Sequence, residues 1–301
     1  MRLDLNEEDP FLITRDAGEE AVDRIVREFC LRTVPPVRMF RQDETPTGYA
    51  LIVPRLRGER LLTVPALQEA DFMFHGNPGT TSCALADFIA QSITDSDADH
   101  LRLPLLSRGQ AEILKRHLVE RLPGWRLEIA LAAISPLARN VCKEPSILRK
   151  AIARAERDGF TLEANPRLAI SELQALHVEQ WGRGNRSAAF FEMLDTLLDE
   201  KHAELVTARD PARKLVAAQV DLIGSSTRHC YYAIGDTERA PGCGTAVLGI
   251  SWRRCAERGR QQIYSFGRGA ERYKYQYANC YREMFELRGF YVPGRVECTT
   301  H

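Results

Sequence analysis

Tyr264-Ser-Phe-Gly-Arg-Gly-Ala-Glu-Arg-Tyr-Lys274, taken with the turn Pro241-Gly-Cys-Gly-Thr245 upstream of it, decides how this chain reads. Between them lie Ala246–Gly259, with helical periodicity, and the apolar run Gln261–Phe266. The order is glycine turn, helix, strand, glycine turn, basic aromatic segment. A glycine turn that opens a helix presents backbone N–H groups at the positive end of the helix dipole, which suits an anion such as a pyrophosphate. The second turn puts Arg268, Arg272 and Lys274 just past a strand end, where open α/β sheets place ligand chemistry.

Working outward, three strand candidates precede the first turn in direct succession: Ala203–Ala208, Lys214–Leu222 and Arg228–Ile234. Helices at Ser171–Trp181 and Ala188–Glu200 precede those, behind a strand Phe160–Glu163, and a last strand is expected near Gly289–Pro293. Strands joined by short links are antiparallel, whereas strand, turn, helix, strand is a parallel crossover. The sheet is therefore mixed, and it is expected to splay where one pairing gives way to the other. The opened gap exposes strand-edge amides in which a cofactor can lie.

The first half alternates in the same way. Glu19–Cys30 reads as an amphipathic helix, Thr47–Pro54 and Leu61–Val64 as strands, and Thr81–Ile93 as a helix. Leu101–Pro104 is a strand, Gln110–Arg121 a helix and Trp125–Leu131 a strand. Ser146 is placed to cap a helix over Ile147–Arg157 that Asp158-Gly159 ends. This helix carries Arg149, Lys150, Arg154 and Arg157, and it reads as the joint between two halves, each with a sheet of its own.

At 301 residues the chain fits one large domain or two of about 150. Lys plus Arg equals Asp plus Glu at 41 each, so there is no global pull toward nucleic acid or membrane. Locally, residues 253–274 carry seven cations against Glu257 and Glu271, so that window is +5 and the remainder −5. A positive patch beside a glycine turn fits a phosphate-bearing substrate. The acidic start Met1–Pro10 does not read as a signal peptide, no apolar run is of membrane-spanning length, and a cytoplasmic location is expected. The eight cysteines show no zinc spacing, the seven histidines no H-E-x-x-H, and no metal is expected. Gly76-Asn-Pro-Gly-Thr80 lacks the lysine of a P-loop, and no G-x-S-x-G surrounds Ser225 or Ser226.

These residues resemble the GNAT superfamily of N-acetyltransferases, and in particular its double-domain branch of cellulose-biosynthesis-type acetyltransferases and Fem-type peptidyltransferases. The likeness rests on Leu176-His177 with Trp181, Val216-Ala217-Ala218, Pro241-Gly242, Ala256-Glu-Arg-Gly259, and Phe266-Gly-Arg-Gly269 with Tyr273-Lys274. It covers residues 146–277 well and 1–145 only in outline. It implies an α/β (α+β mixed sheet) fold of tandem GNAT-like domains, a degenerate one over 1–147 and a more regular acyltransferase domain over 148–301. One position departs from the branch, whose string carries an acid before the Phe where this chain has Ser265.

By the same resemblance, strand Arg228–Ile234 offers a backbone N–H to an acyl carbonyl, and Gly242, Cys243, Gly244 and Thr245 bind the cofactor phosphate. Lys274 and Tyr273 are the expected catalytic residues, Tyr273 protonating the leaving group. Arg268, Arg272 and Trp181 are expected at the substrate. The implied activity is transfer of an acyl group from acyl-CoA to an amine of a small molecule or amino sugar. An alternative is a Fem-like transferase fed by aminoacyl-tRNA, with tRNA phosphates on the arginine-rich helices; a third is an inactive scaffold.

Overall fold

The computed structural model describes Ala21 and Ile25 and then residues 37–42, 45–54, 60–63, 82–166, 170–182, 188–224, 227–259, 263–267 and 271–292. The glycine turn at 76–80, Ser225, Ser226 and Arg268 lie outside the described residues, as does most of the expected helix Glu19–Cys30.

The strands are β1 (Val37–Gln42), β2 (Thr45–Pro54), β3 (Arg60–Thr63), β4 (His100–Leu106), β5 (Trp125–Arg139), β6 (Thr161–Ala164), β7 (Ala203–Arg209), β8 (Leu215–Ile223), β9 (Thr227–Gly235), β10 (Ile263–Ser265) and β11 (Cys280–Tyr291). The helices are α1 (Ser82–Ser96), α2 (Arg108–Arg121), α3 (Ser146–Arg157), α4 (Ile170–Trp181), α5 (Ala188–Asp199), α6 (Cys243–Glu257) and α7 (Arg272–Tyr277). The strands form one mixed sheet in the order β1-β2-β3-β4-β11-β5-β10-β9-β8-β7-β6.

Two separate sheets were expected, and the unbroken sheet corrects that. Its physical cause is strand exchange. The succession of three antiparallel strands, helix, parallel strand, helix and long strand occurs twice, as β1-β2-β3-α1-β4-α2-β5 and as β7-β8-β9-α6-β10-α7-β11. The long strand of each succession lies against the parallel strand of the other, β11 on β4 and β5 on β10, and the two pair with each other from Cys280↔Leu137 to Tyr291↔Trp125. Each half thus completes the other's ladder, which leaves no strand edge between them.

In the second half, α4 and α5 cover one face of the sheet with Leu173, Phe190, Phe191 and Leu194 against Leu205, Val220 and Tyr232. The opposite face is covered by α3 and α6, through Ile152, Val206, Val216, Ala246 and Val247. Because β8 is sandwiched between these layers it is buried along nearly its whole length, as an apolar run should be. Helices α3 and α6 approach closely at Gly249, where a Cβ would stand 2.8 Å from Ile152 Cδ1. That approach brings the basic face of α3 beside the start of α6.

Local differences from the sequence reading have simple causes. Pro145, not Ser146, is the N-cap of α3, because proline's fixed φ suits the entry and its missing N–H costs nothing there. Helix α6 starts at Cys243, three residues before the periodic stretch, so the glycine turn is its first turn. Strands β5 and β11 run well beyond the short stretches expected at Trp125–Leu131 and Gly289–Pro293.

Candidate active site

Strands β9 and β10 form a fork. Their parallel pairing covers Thr227–His229 against Ile263–Ser265, and then the chain leaves, the Phe266 N–H bonding the Pro136 carbonyl at 3.1 Å. Strand β9 continues to Gly235 without β10 beside it. The splay expected from mixed pairing is therefore present. It holds a cavity of about 290 Å³, lined by Cys230, Ala233, Ile234 and Gly235 of β9, Ala218 and Gln219 of β8, Trp181, Phe266 and Tyr273. Gly242, Gly244, Thr245, Val247 and Leu248 at the start of α6 close it. Ala218 belongs to the core under α4 and α5, whereas Val247 belongs to the core under α3. Lining thus comes from residues of both core layers.

The turn opens α6 on a glycine. Gly242 caps α6 at φ +89°, ψ −9°, the left-handed region that a side chain disfavours. The Cys243 N–H is taken by the Ala240 carbonyl at 3.1 Å, and the Ala246 N–H by the Gly242 carbonyl at 3.0 Å. Of the first-turn amides that a helix leaves without internal partners, those of Gly244 and Thr245 remain to meet a ligand. Gly244 is exposed, and a Cβ there would meet nothing within 4 Å. Cys243 differs from its three neighbours. Its side chain is buried in the α3–α6 core, and burial, with Asp158 adding, pushes its thiol up to about 11. It shapes the turn through packing.

A second cavity of about 360 Å³ lies on the far side of the turn and shares Gly242, Thr245 and Tyr273 with the first. Lys150 and Arg154 of α3, its C-cap Asp158 and Tyr277 of α7 line it. Arg154 is held at 3.5 Å from Asp158.

The other expected residues divide. Trp181 is 49% exposed and lines the first cavity, its ring edge-on to His177 at 5.0 Å. Tyr273 is 44% exposed and faces both cavities. Lys274 is buried, its Nζ pairs with Glu271 at 3.1 Å, and it lines neither cavity. Residues 273 and 274 are neighbours on a helical turn and so point in different directions, which the spacing alone should have signalled. Arg272 is exposed and outside both cavities.

The positive window is also partly answered from within. Arg253 pairs with Glu144 at 3.0 Å, Arg254 with Glu204 at 3.3 Å and with Glu257 at 3.1 Å, and Arg258 with Glu204 at 3.0 Å.

Beneath the first cavity lies a polar network that the sequence reading missed. Arg228, 1% exposed, donates to Asp221 at 2.6 Å and to Glu204 at 2.7 Å. Burial opposes the charge on Arg228, but Asp221 and Glu204 outweigh it and hold its pKa above the usual arginine range. Burial also opposes the Glu204 carboxylate, yet Arg228 and Arg254 pull it below the usual range. Ser251 hydrogen-bonds Asp221, and the Tyr264 hydroxyl donates to Ser251 at 3.2 Å. Gln219 Nε2 donates to Asp221 at 2.6 Å and to Tyr264 at 2.5 Å. Polar residues at 219 and 221, alternating inside the apolar run Leu215–Ile223, were the available signal.

At the tip of the fork, where the resembling branch carries an acid, Ser265 Oγ lies 2.9 Å from His229 Nδ1, both residues being fully buried. Burial, aided by Arg282 and Lys274, pushes His229 down to about 3, so its imidazole is neutral. Neither residue lines the cavities, and the pair closes the fork without carrying charge.

Among the described residues no group of three or more His, Cys, Asp or Glu is placed to hold a metal, and no helix is long and apolar enough to cross a membrane.

Residues 145–275 match the acetyltransferase (GNAT) domain family. No curated protein matches the chain. Among solved structures, L-PGS from Bacillus licheniformis is similar with a TM-score of 0.61 at 12% identity, covering 96% of this chain and 94% of that one. The C-terminal domain of a putative lysylphosphatidylglycerol synthetase from Agrobacterium fabrum is similar with a TM-score of 0.61 at 10% identity, over 90% of this chain and 92% of its own. FemX follows at 0.57 and 12% identity, over 93% and 96%. At such identities the likeness is one of fold, and it extends over both halves.

Proposed function

Taking residues 145–275 as the GNAT acyltransferase domain of this chain, we propose that the protein is an N-acyltransferase moving an acyl group from acyl-CoA to an amine of a small molecule or amino sugar. The observation that carries this reading is the continuity of three features. Free first-turn amides at Gly244 and Thr245 lead into the first cavity, and that cavity runs along the part of β9 that β10 leaves uncovered. A donor diphosphate sits on the helix start. The acyl carbonyl reaches a β9 amide, which stabilises the tetrahedral oxyanion as the amine attacks. The leaving thiolate then emerges near Tyr273, whose hydroxyl can give it a proton, and the proton that the attacking amine loses, carried by solvent, restores the tyrosine. Lys150 and Arg154, across the shared turn, supply charge for a further phosphate on the donor. On this reading residues 1–147 are a degenerate repeat and 148–301 the acyltransferase repeat.

A second reading, aminoacyl-tRNA as donor, is favoured by the exposure of Arg149, Lys150, Arg154 and Arg157 along α3. One comparison decides between them. Acetyl-CoA in large excess should raise the melting temperature by a few degrees, as a ligand at about a hundred times its Kd stabilises by about 2.7 kcal/mol. No shift with acetyl-CoA, combined with salt-sensitive binding of aminoacyl-tRNA, would transfer the assignment to the second reading.

A further inference from the structure

The first cavity is walled mainly by apolar groups, including Ala218, Ala233, Ile234, Leu248 and Phe266, yet Gln219 sits in that wall at 3% exposure. The orientation of its amide is fixed by what surrounds it. The Asp221 carboxylate is ion-paired with Arg228 and can only accept. The Tyr264 hydroxyl spends its one proton on Ser251, so toward Gln219 it too can only accept. Both N–H groups of Nε2 are therefore committed, to Asp221 and to Tyr264. What Gln219 has left for a ligand is its carbonyl oxygen, a rigid acceptor in a wall whose other polar side chains include Asp236, Thr237, Thr245 and Tyr273.

We infer that Gln219 makes this cavity selective for acyl groups that carry a hydrogen-bond donor, a hydroxyl or an amino group, over plain alkyl acyl groups. The inference rests on the reading of the cavity as the donor's acyl site. An alkyl chain pressed against Gln219 takes its carbonyl out of water and offers nothing in return, whereas a hydroxyl or amine satisfies it. A site built around a buried polar group discriminates against the analogue that leaves it unpaired. The network cannot swing the amide round to suit an alkyl chain, because doing so would set the Gln219 oxygen against Asp221.

The test is calorimetric binding of three coenzyme A thioesters of matched size: propionyl, 2-hydroxypropionyl and alanyl. The wild-type protein is expected to bind one or both of the latter about five- to tenfold more tightly than propionyl-CoA, the scale of one hydrogen bond. Which of the two gains separates a hydroxyacyl from an aminoacyl preference. Gln219→Leu and the more flexible Gln219→Met should bring the three affinities together. Equal affinities in the wild-type protein would overturn the inference while leaving the donor reading intact, and this needs no variant to fold. A preference that survives in a folded Gln219→Met would also overturn it. Failure of all three thioesters to bind would remove the donor reading and this inference with it.

Discussion

Lowering the pH from 7 to 5 should weaken the fold through His229. Folded, the imidazole is held at about 3 by burial, with Arg282 and Lys274 adding; unfolded, it titrates near 6.5. The unfolded chain therefore binds a proton in the window between those values and the folded chain does not, so stability rises with pH across that window and is lost as pH falls. Each unit below the unfolded value removes about 1.4 kcal/mol, which makes the loss between pH 7 and pH 5 about 2 kcal/mol. Glu204 and Glu286 are both held below the usual carboxylate range, for each of them burial opposing the charge and neighbouring arginines outweighing it, so their contributions are lost only at more acidic pH. Urea unfolding at pH 7, 6 and 5 on the wild type and on His229→Asn, which keeps a polar atom near the Ser265 hydroxyl, measures the term. The variant should be less stable at pH 7 but flatter between 7 and 5. Equal slopes in the two proteins would refute the assignment of a neutral, unprotonatable imidazole.

Arg228→Ala should cost about 3–5 kcal/mol in the same assay, because Asp221 would be left buried without its countercharge. A loss under 1 kcal/mol would mean that water or a proton replaces the guanidinium freely. Tyr273→Phe should lower turnover about a hundredfold with the melting temperature unchanged, since the hydroxyl is removed from an exposed ring and the proton it returns is lost. Lys274→Ala should act in the opposite manner, lowering thermal stability by an amount equivalent to about 1–2 kcal/mol through a buried stem and the pair to Glu271. Full stability with collapsed turnover in Lys274→Ala would restore the lysine to the chemistry.

Much of the second half was legible because its signals are local. Ala203–Ala208, Lys214–Leu222 and Arg228–Ile234 are short apolar runs with turns between them, and they became β7, β8 and β9 with ends moved by a residue or so. The fork followed from the order of elements. What stayed hidden depends on partners remote in sequence. Glu144 and Glu204 pair with Arg253, Arg254 and Arg258 of a window that looked like a free patch, and nothing near residues 253–258 announces them. Cys243 looked like part of a ligand loop because its burial is set by α3, about ninety residues earlier. The full length of β11 is disguised by Arg282, Glu283, Glu286 and Arg288; Arg282, Glu283 and Arg288 are exposed, and the buried Glu286 is answered by Arg102 and Arg288. The strand exchange that fuses the halves leaves no trace in local periodicity at all.

Gly244→Glu tests the central claim, that the start of α6 holds the donor's phosphates. The backbone there does not need glycine's positive φ, and a Cβ would meet nothing within 4 Å. A carboxylate at a helix N-terminus is also compatible with the dipole, so the variant should fold with an unchanged melting temperature. It should nonetheless place a negative charge where the phosphate belongs, and such juxtapositions cost several kcal/mol. Isothermal titration with acetyl-CoA should give binding to the wild-type protein and affinity weakened by on the order of a hundredfold or more in Gly244→Glu. Equal affinities in two equally stable proteins would contradict the account and place the donor elsewhere.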